Sequence, residues 1–194
     1  VERVYVHQSP LDDYLAGARE ALEAYRPGDP LAEETTLGPL ASRGALDFLE
    51  GQVRDAVDRG ASLLTGGART PDCAGNFFQP TLLAGTPNDA AVMQEESFGP
   101  VLPVLGVGDD DEAIACMRDT RFGLTASIWT GDQERAERFA RSLDAGTIFQ
   151  NRCDFLDPAL PWTGCGDSGK GSTLSRYGYL HLTRRKSIHF RTKT

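Results

Sequence analysis

Short apolar, strand-like runs in this chain alternate with longer stretches that repeat at helical spacing, and that alternation restricts the possible folds more than any other feature. The first run, Arg3–His7, places Val4 and Val6 on one face of a strand. Pro10 then opens a helix, because Leu11, Tyr14, Leu15, Ala18 and Leu22 fall on one helical face. A Pro- and Gly-punctuated loop spans 26–39. The next helix covers Ser42–Arg59, with Leu46, Leu49, Val53 and Ala56/Val57 inward, and Gly60 ends it. Ala61–Leu64 reads as a buried strand. FFQPTLLAG reads as a strand interrupted by Pro80, which loses a ladder donor and so belongs at an edge or a bulge. VLPVLGV (101–107) is the next strand, followed by a helix from the acidic Asp109–Asp111 to Arg118, where negative charge suits the dipole. Residues 124–130 form a strand, and Asp132 caps a helix that turns Ala136, Phe139, Ala140 and Leu143 inward. TIFQN (147–151) is a further strand, then comes a long glycine-rich irregular stretch, and SIHFRT (187–192) closes the chain as a strand.

Strands separated by helices of roughly 10–17 residues predict an α/β fold, three-layered, with a largely parallel sheet and flanking helices. One compact domain is expected over 1–183, with 184–194 as a C-terminal strand of the oligomerising type. The chain has no Met at its start and opens inside a strand-like alternation, as expected of a piece of something longer.

Bulk properties remove several classes of function. No apolar run approaches the roughly 20 residues a membrane helix needs. The four cysteines, Cys73, Cys116, Cys153 and Cys165, form no CxxC pair and are too sparse for a disulfide framework, so reduced thiols in the cytoplasm are expected. The three histidines supply no metal-ligand spacing, so no metal site is predicted. Net charge is −8, but residues 1–169 carry 13 positive against 28 negative charges, or −15, while the tail from Lys170 carries seven Lys/Arg and no acid. An acidic body argues against nucleic-acid binding.

TGCGDSGKGS (163–172) invites two enzymatic readings. GDSG surrounds the nucleophile of trypsin-like proteases, but no histidine here sits in a suitable flank, and the pattern is α/β rather than paired barrels. Gly164 to Lys170 spells most of a P-loop, but Gly171 replaces the required Ser/Thr and no strand leads in. MQEESFGPVLPV (93–104) is more informative. Glu95 and Glu96 point different ways in extended chain, so they are not an acid/base dyad. An ionised carboxylate accepting two hydrogen bonds suits a vicinal diol such as a ribose, and a solvated pair of loop charges is the alternative.

EESFGPV resembles the E-E-x-F-G-P-V signature of the aldehyde dehydrogenase superfamily. Further motifs resemble that family's catalytic domain in order along nearly the whole chain: ERVYVH, GDP…LGPL (28–40), GASLLTGG, GNFFQPTLL, FGLTASIWTGD, AGTIFQN and PWTGCGDSGKG (161–171). The resemblance implies oxidation of an aldehyde to a carboxylic acid with NAD or NADP, in an enzyme forming a homo-oligomer, a dimer or tetramer. In the family a cysteine thiolate attacks the aldehyde, hydride passes to the nicotinamide, and a glutamate-activated water hydrolyses the thioester. By position, Glu96 is implied to bind the ribose beside the nicotinamide and Phe98 to pack against that end of the cofactor. Asn151 to Trp162 correspond to the loop lining the aldehyde tunnel, with Phe155, Leu156 and Trp162 as apolar walls.

The family's nucleophile lies in a G-Q-x-C turn just before the R-V-Y-V strand, hence upstream of Val1, and the general-base glutamate and dinucleotide-binding domain lie further upstream. No catalytic residue is therefore expected within this chain, and the chain alone is expected to be inactive. Cys116 is expected to be a buried helix thiol, Cys73 and Cys165 turn residues, and Cys153, beside the substrate loop, the one to test for reactivity. Gly166 stands where many relatives carry lysine, and Ala45 and Phe48 where ribose-contacting polar residues are common. Either the cofactor is held differently, or Glu96 carries more of the recognition, or the parent protein is a divergent member. A second reading is a non-enzymatic interaction module that keeps the pairing strand, in which Ile188 and Phe190 alternate with His189 and Arg191.

Overall fold

The computed structural model describes residues 2–71, 73, 75–153 and 155–193. The chain divides into two compact units, Val1–Met117 and Arg118–Thr194, and the division falls inside the stretch that the sequence reading treats as one domain.

The first unit is built on a four-stranded sheet of β1 (Val4–His7), β2 (Ser62–Thr65), β3 (Thr81–Ala84) and β4 (Val101–Val107), in the order β1-β4-β3-β2. β4 runs parallel to both β1 and β3, whereas β2 and β3 are antiparallel. The helices are α1 (Leu11–Glu23), α2 (Arg43–Asp58), α3 (Ala91–Gln94) and α4 (Asp110–Arg118). Alternation along the strands sends side chains to two separate cores. Val6, Leu82 and Val104 pack with Leu11, Leu15, Ala18 and Leu22 of α1. On the opposite face Leu83 and Val101 pack with Leu46, Leu49 and Val53 of α2 and Met93 of α3. Helix, sheet and helix thus form three layers in this unit, in line with the α/β expectation.

Local chemistry sets the helix ends. The Ser42 hydroxyl accepts from the Ala45 amide at 3.3 Å to start α2. At α4, Glu112 N donates to Asp109 Oδ1 (2.9 Å) while Glu112 Oε2 accepts from Gly108 N (2.7 Å), a reciprocal cap. Tyr14 and Val57, expected inward, are exposed at 37% and 41% because each lies at the margin of its helix's apolar stripe. Pro80 occupies neither an edge strand nor the register shift, which lies between Leu63 and Thr65. It immediately precedes β3, an interior strand, and so removes no donor from the strand itself. Pro103 is accommodated within β4 because pairing to β1 begins one residue later, at Val104.

The second unit contains β5 (Phe122–Gly123), β6 (Thr125–Ile128), α5 (Gln133–Ser142), β7 (Thr147–Gln150), β8 (Trp162–Thr163), β9 (Cys165–Gly166), β10 (Ser172–Thr173) and α6 (Ser175–Leu182). β6 and β7 are parallel, and β5/β9 and β8/β10 form short antiparallel pairs. Asp132 caps α5 by accepting from Glu134 N at 2.9 Å and Arg135 N at 3.1 Å. Ala136, Phe139 and Leu143 are buried, whereas Ala140 is exposed on the helix's outer side. Residues 187–192 take part in no strand pairing among the described residues. A strand needs a ladder partner, and the described residues supply none there.

Candidate functional site

In the first unit, α3 delivers the chain into Glu95–Phe98 and is tied down on both sides. Asp55 Oδ2 accepts from Ala91 N at 2.7 Å, and Arg59 bridges Asp55 and Asp89 at 2.8 and 2.9 Å. The Arg59 side chain, and then the Ala91 amide, hold the Asp55 carboxyl below its ordinary range. Gln94 Nε2 donates to Asn88 O at 2.6 Å, and the Tyr5 hydroxyl donates to Asn88 Oδ1 at 2.6 Å, which connects this corner to β1.

Beyond this anchor, Glu95 and Glu96 are exposed, Ser97 is buried at 4%, and Phe98 is 82% exposed. Phe98 has φ 49°, a left-handed conformation unfavourable for a residue with a bulky side chain. Glu2, at the foot of β1, accepts from Ser97 N at 2.9 Å and, at the long limit, from Phe98 N at 3.5 Å. Directly after the turn, Gly99 abuts Leu49, and a Cβ there would lie 2.4 Å from Leu49 Cδ1. A strained, exposed aromatic beside an exposed carboxylate is therefore mounted on a rigid floor. Among the described residues no partner is recorded for Glu96.

The second unit holds the other four residues singled out from sequence. Phe155 and Trp162 line a cavity of about 210 Å³ together with Ile148, Gln150, Arg152 and Leu174. The Arg152 guanidinium lies 3.8 Å over the Phe155 ring. Asn151 and Leu156 do not line this cavity. Leu156 is exposed at 57%, and Asn151, at φ 53°, has its amide committed to the backbone of Thr130. Its Oδ1 accepts from Thr130 N and its Nδ2 donates to Thr130 O, both at 2.9 Å. Arg152 lies in the 151–162 loop assigned from sequence but is not singled out there, and Leu174 lies outside that loop. Leu174 has φ 59° and no motif around it that signals such a conformation.

The glycine-rich stretch is a folded turn. Ser168 Oγ accepts from Gly123 N at 2.9 Å, and Gly166, Gly169 and Gly171 all have positive φ. Cys153 is exposed, whereas Cys73, Cys116 and Cys165 are partly covered. Cys116 is thus less enclosed than a core thiol, and Cys165 lies in β9 rather than a turn. Among the described residues, no three His, Cys, Asp or Glu side chains gather as a metal set, and no helix is long and apolar enough to cross a membrane.

Comparison with known proteins matches this frame to the aldehyde dehydrogenase family, whose model covers residues 1–188. A succinate-semialdehyde dehydrogenase [NADP(+)] of Deinococcus radiodurans is 38% identical over 193 residues, 99% of this chain and 40% of that protein. An aldehyde dehydrogenase of Paenarthrobacter nicotinovorans is 40% identical over 96% of this chain and 41% of its own length. Among solved structures, Mycobacterium tuberculosis aldehyde dehydrogenase complexed with NAD+ superposes with a TM-score of 0.92 at 31% identity, covering 100% of this chain and 40% of that one. The chain belongs to the aldehyde dehydrogenase family. It spans about 40% of the length of the curated relatives it matches.

Proposed function

We propose that this chain is the cofactor-facing and substrate-lining part of the catalytic domain of an NAD(P)-dependent aldehyde dehydrogenase, one that oxidises an aldehyde to a carboxylic acid. The observation that carries the reading is Phe98, a large aromatic left 82% exposed in a left-handed turn beside exposed Glu96. Burying Phe98 would stabilise the fold, and relaxing its backbone would stabilise it further. Strain and exposure retained together are characteristic of a ligand clamp. These groups fit a dinucleotide: the Glu96 carboxylate can accept from both hydroxyls of a ribose, and the Phe98 face can pack against the nicotinamide end. When bound, NAD(P)+ supplies the acceptor for the hydride that leaves the aldehyde carbon. The chain's own contribution is to hold the ribose, orient the ring and exclude water from one wall.

Phe155 and Trp162 form an apolar wall for the aldehyde, and Arg152 adds a cationic edge. Asn151 supports that wall by holding Thr130, and Leu156 is a further apolar residue of the same loop. On this reading the nucleophilic cysteine and the general base lie outside residues 1–194, and the expected result is that the chain alone does not turn over aldehyde. In the full-length protein Glu96→Gln weakens cofactor use or slows hydride transfer. Unchanged kinetics would show that the wrong glutamate has been identified.

A second role rests on Ile188 and Phe190, 63% and 81% exposed on a segment that pairs with no strand among the described residues. Residues 184–194 then serve as a pairing strand between two copies, consistent with a homo-oligomer. Light scattering of the full-length protein before and after truncation at residue 183 tests it: loss of the oligomer is expected, and an unchanged mass overturns the role.

A further inference from the structure

We propose that Glu2 is a positioning residue for the cofactor: its carboxylate locks the Ser97–Phe98 turn in the left-handed geometry that presents the Phe98 ring. The inference rests on Phe98 being a cofactor contact, as argued above. Two independent supports hold the turn. From below, Gly99 is packed on Leu49, which is fully buried. From the side, Glu2 receives the Ser97 amide at 2.9 Å and approaches the Phe98 amide at 3.5 Å.

Packing at Gly99 sets where the turn sits but leaves the two peptide planes flanking Ser97 able to rotate. An acceptor on the amide side restrains them, and Glu2 takes the Ser97 N–H of the 96–97 peptide at 2.9 Å and, at the long limit, the Phe98 N–H of the 97–98 peptide at 3.5 Å. Placing a third carboxylate against a turn that already carries Glu95 and Glu96 is electrostatically unfavourable unless it meets directed amide donors. Ser97, buried at 4%, does not supply the restraint itself, because its hydroxyl has no hydrogen-bond partner among the described residues. Glu2 also stands two residues before the start of β1. The same two contacts therefore bring the chain entering β1 to the turn that carries Glu96 and Phe98, coupling the approach of that segment to cofactor placement.

The test uses the full-length protein with Glu2→Ala, Glu2→Gln and Phe98→Ala. Amide hydrogen exchange over residues 95–99, measured without cofactor, should accelerate by about tenfold in Glu2→Ala, the change expected from losing one charge-assisted hydrogen bond. The cofactor Kd, by calorimetry, should rise by a similar factor, as should its KM, with kcat less affected and thermal stability nearly unchanged. Glu2→Gln, which keeps one carbonyl acceptor, should fall between wild type and Glu2→Ala and also serves should the alanine variant fold poorly. If Phe98→Ala weakens cofactor binding while both Glu2 variants leave exchange and Kd unchanged, the proposal is wrong and the reading of Phe98 stands. If Phe98→Ala has no effect on Kd, both fail. A uniform loss of protection throughout the protein in the Glu2 variants would overturn the proposal by showing a general structural role.

Discussion

Gly99→Ala should destabilise the protein through a single identifiable clash. The added methyl would lie 2.4 Å from Leu49 Cδ1, 3.1 Å from Cδ2 and 3.3 Å from Cγ. Leu49 is 0% exposed and packed between α2 and the sheet, so its branch cannot swing away into solvent. Gly99 is not among the glycines in the left-handed region, so alanine there is opposed by sterics alone. Overpacking of this kind costs about 1–3 kcal/mol. Leu49→Ala by itself leaves a cavity and should cost about 2–5 kcal/mol. The two changes share the same space, so the double variant should be less destabilised than the sum, by at least about 1 kcal/mol. Urea unfolding followed by far-UV circular dichroism gives all three values, provided the slopes stay equal. A Gly99→Ala variant within about 0.5 kcal/mol of wild type, or strict additivity in the double variant, would refute the idea that Leu49 is the floor of the Phe98 turn.

Asp132→Ala removes the acceptor for two amides at the start of α5 and should cost about 1 kcal/mol in thermal unfolding, with Asp132→Asn retaining most of it. Asp55 has a carboxyl held below its ordinary range in the fold by Arg59 and the Ala91 amide. A depressed folded pKa contributes stability above the unfolded value, about 4, and loses it as pH falls through the folded one. Asp55→Asn should therefore destabilise at neutral pH, with the difference from wild type vanishing in acid below about pH 4. Trp162→Ala should enlarge the cavity of the second unit and shift kcat/KM in the full-length protein toward bulkier aldehydes by about tenfold relative to small ones. An unchanged preference would remove Trp162 from the substrate wall.

The strand and helix pattern was legible because burial writes itself into periodicity. Leu46, Leu49, Val53 and Ala56 recur at helical spacing and are all buried. Residues Val101–Val107 read as a strand because both faces of β4 are covered by helices. α6 escaped notice for the opposite reason: it buries no residue, carries Gly178 in its middle, and has no side-chain cap at Leu174. Residues 187–192 pair with no strand among the described residues, because alternation records a surface suited to pairing without recording whether the partner lies in the same chain.

At the candidate site, Glu96, Phe98 and Trp162 stood out through local motif. The Glu2 contacts to Ser97 and Phe98 join positions 95 and 96 residues apart, and no local pattern encodes such a pairing. Asn151 illustrates a subtler limit. Its residue type suits a polar lining position, but only the fold shows its amide closing on Thr130.

The most direct test of the central claim is to trap the covalent intermediate in the full-length protein. Incubation with an aldehyde and NAD(P)+, acid quench and peptide mass spectrometry should place the acyl group on a cysteine outside residues 1–194, formed only when cofactor is present and depleted by Glu96→Gln. An adduct on Cys73, Cys116, Cys153 or Cys165, or no cofactor-dependent adduct at all, would contradict it.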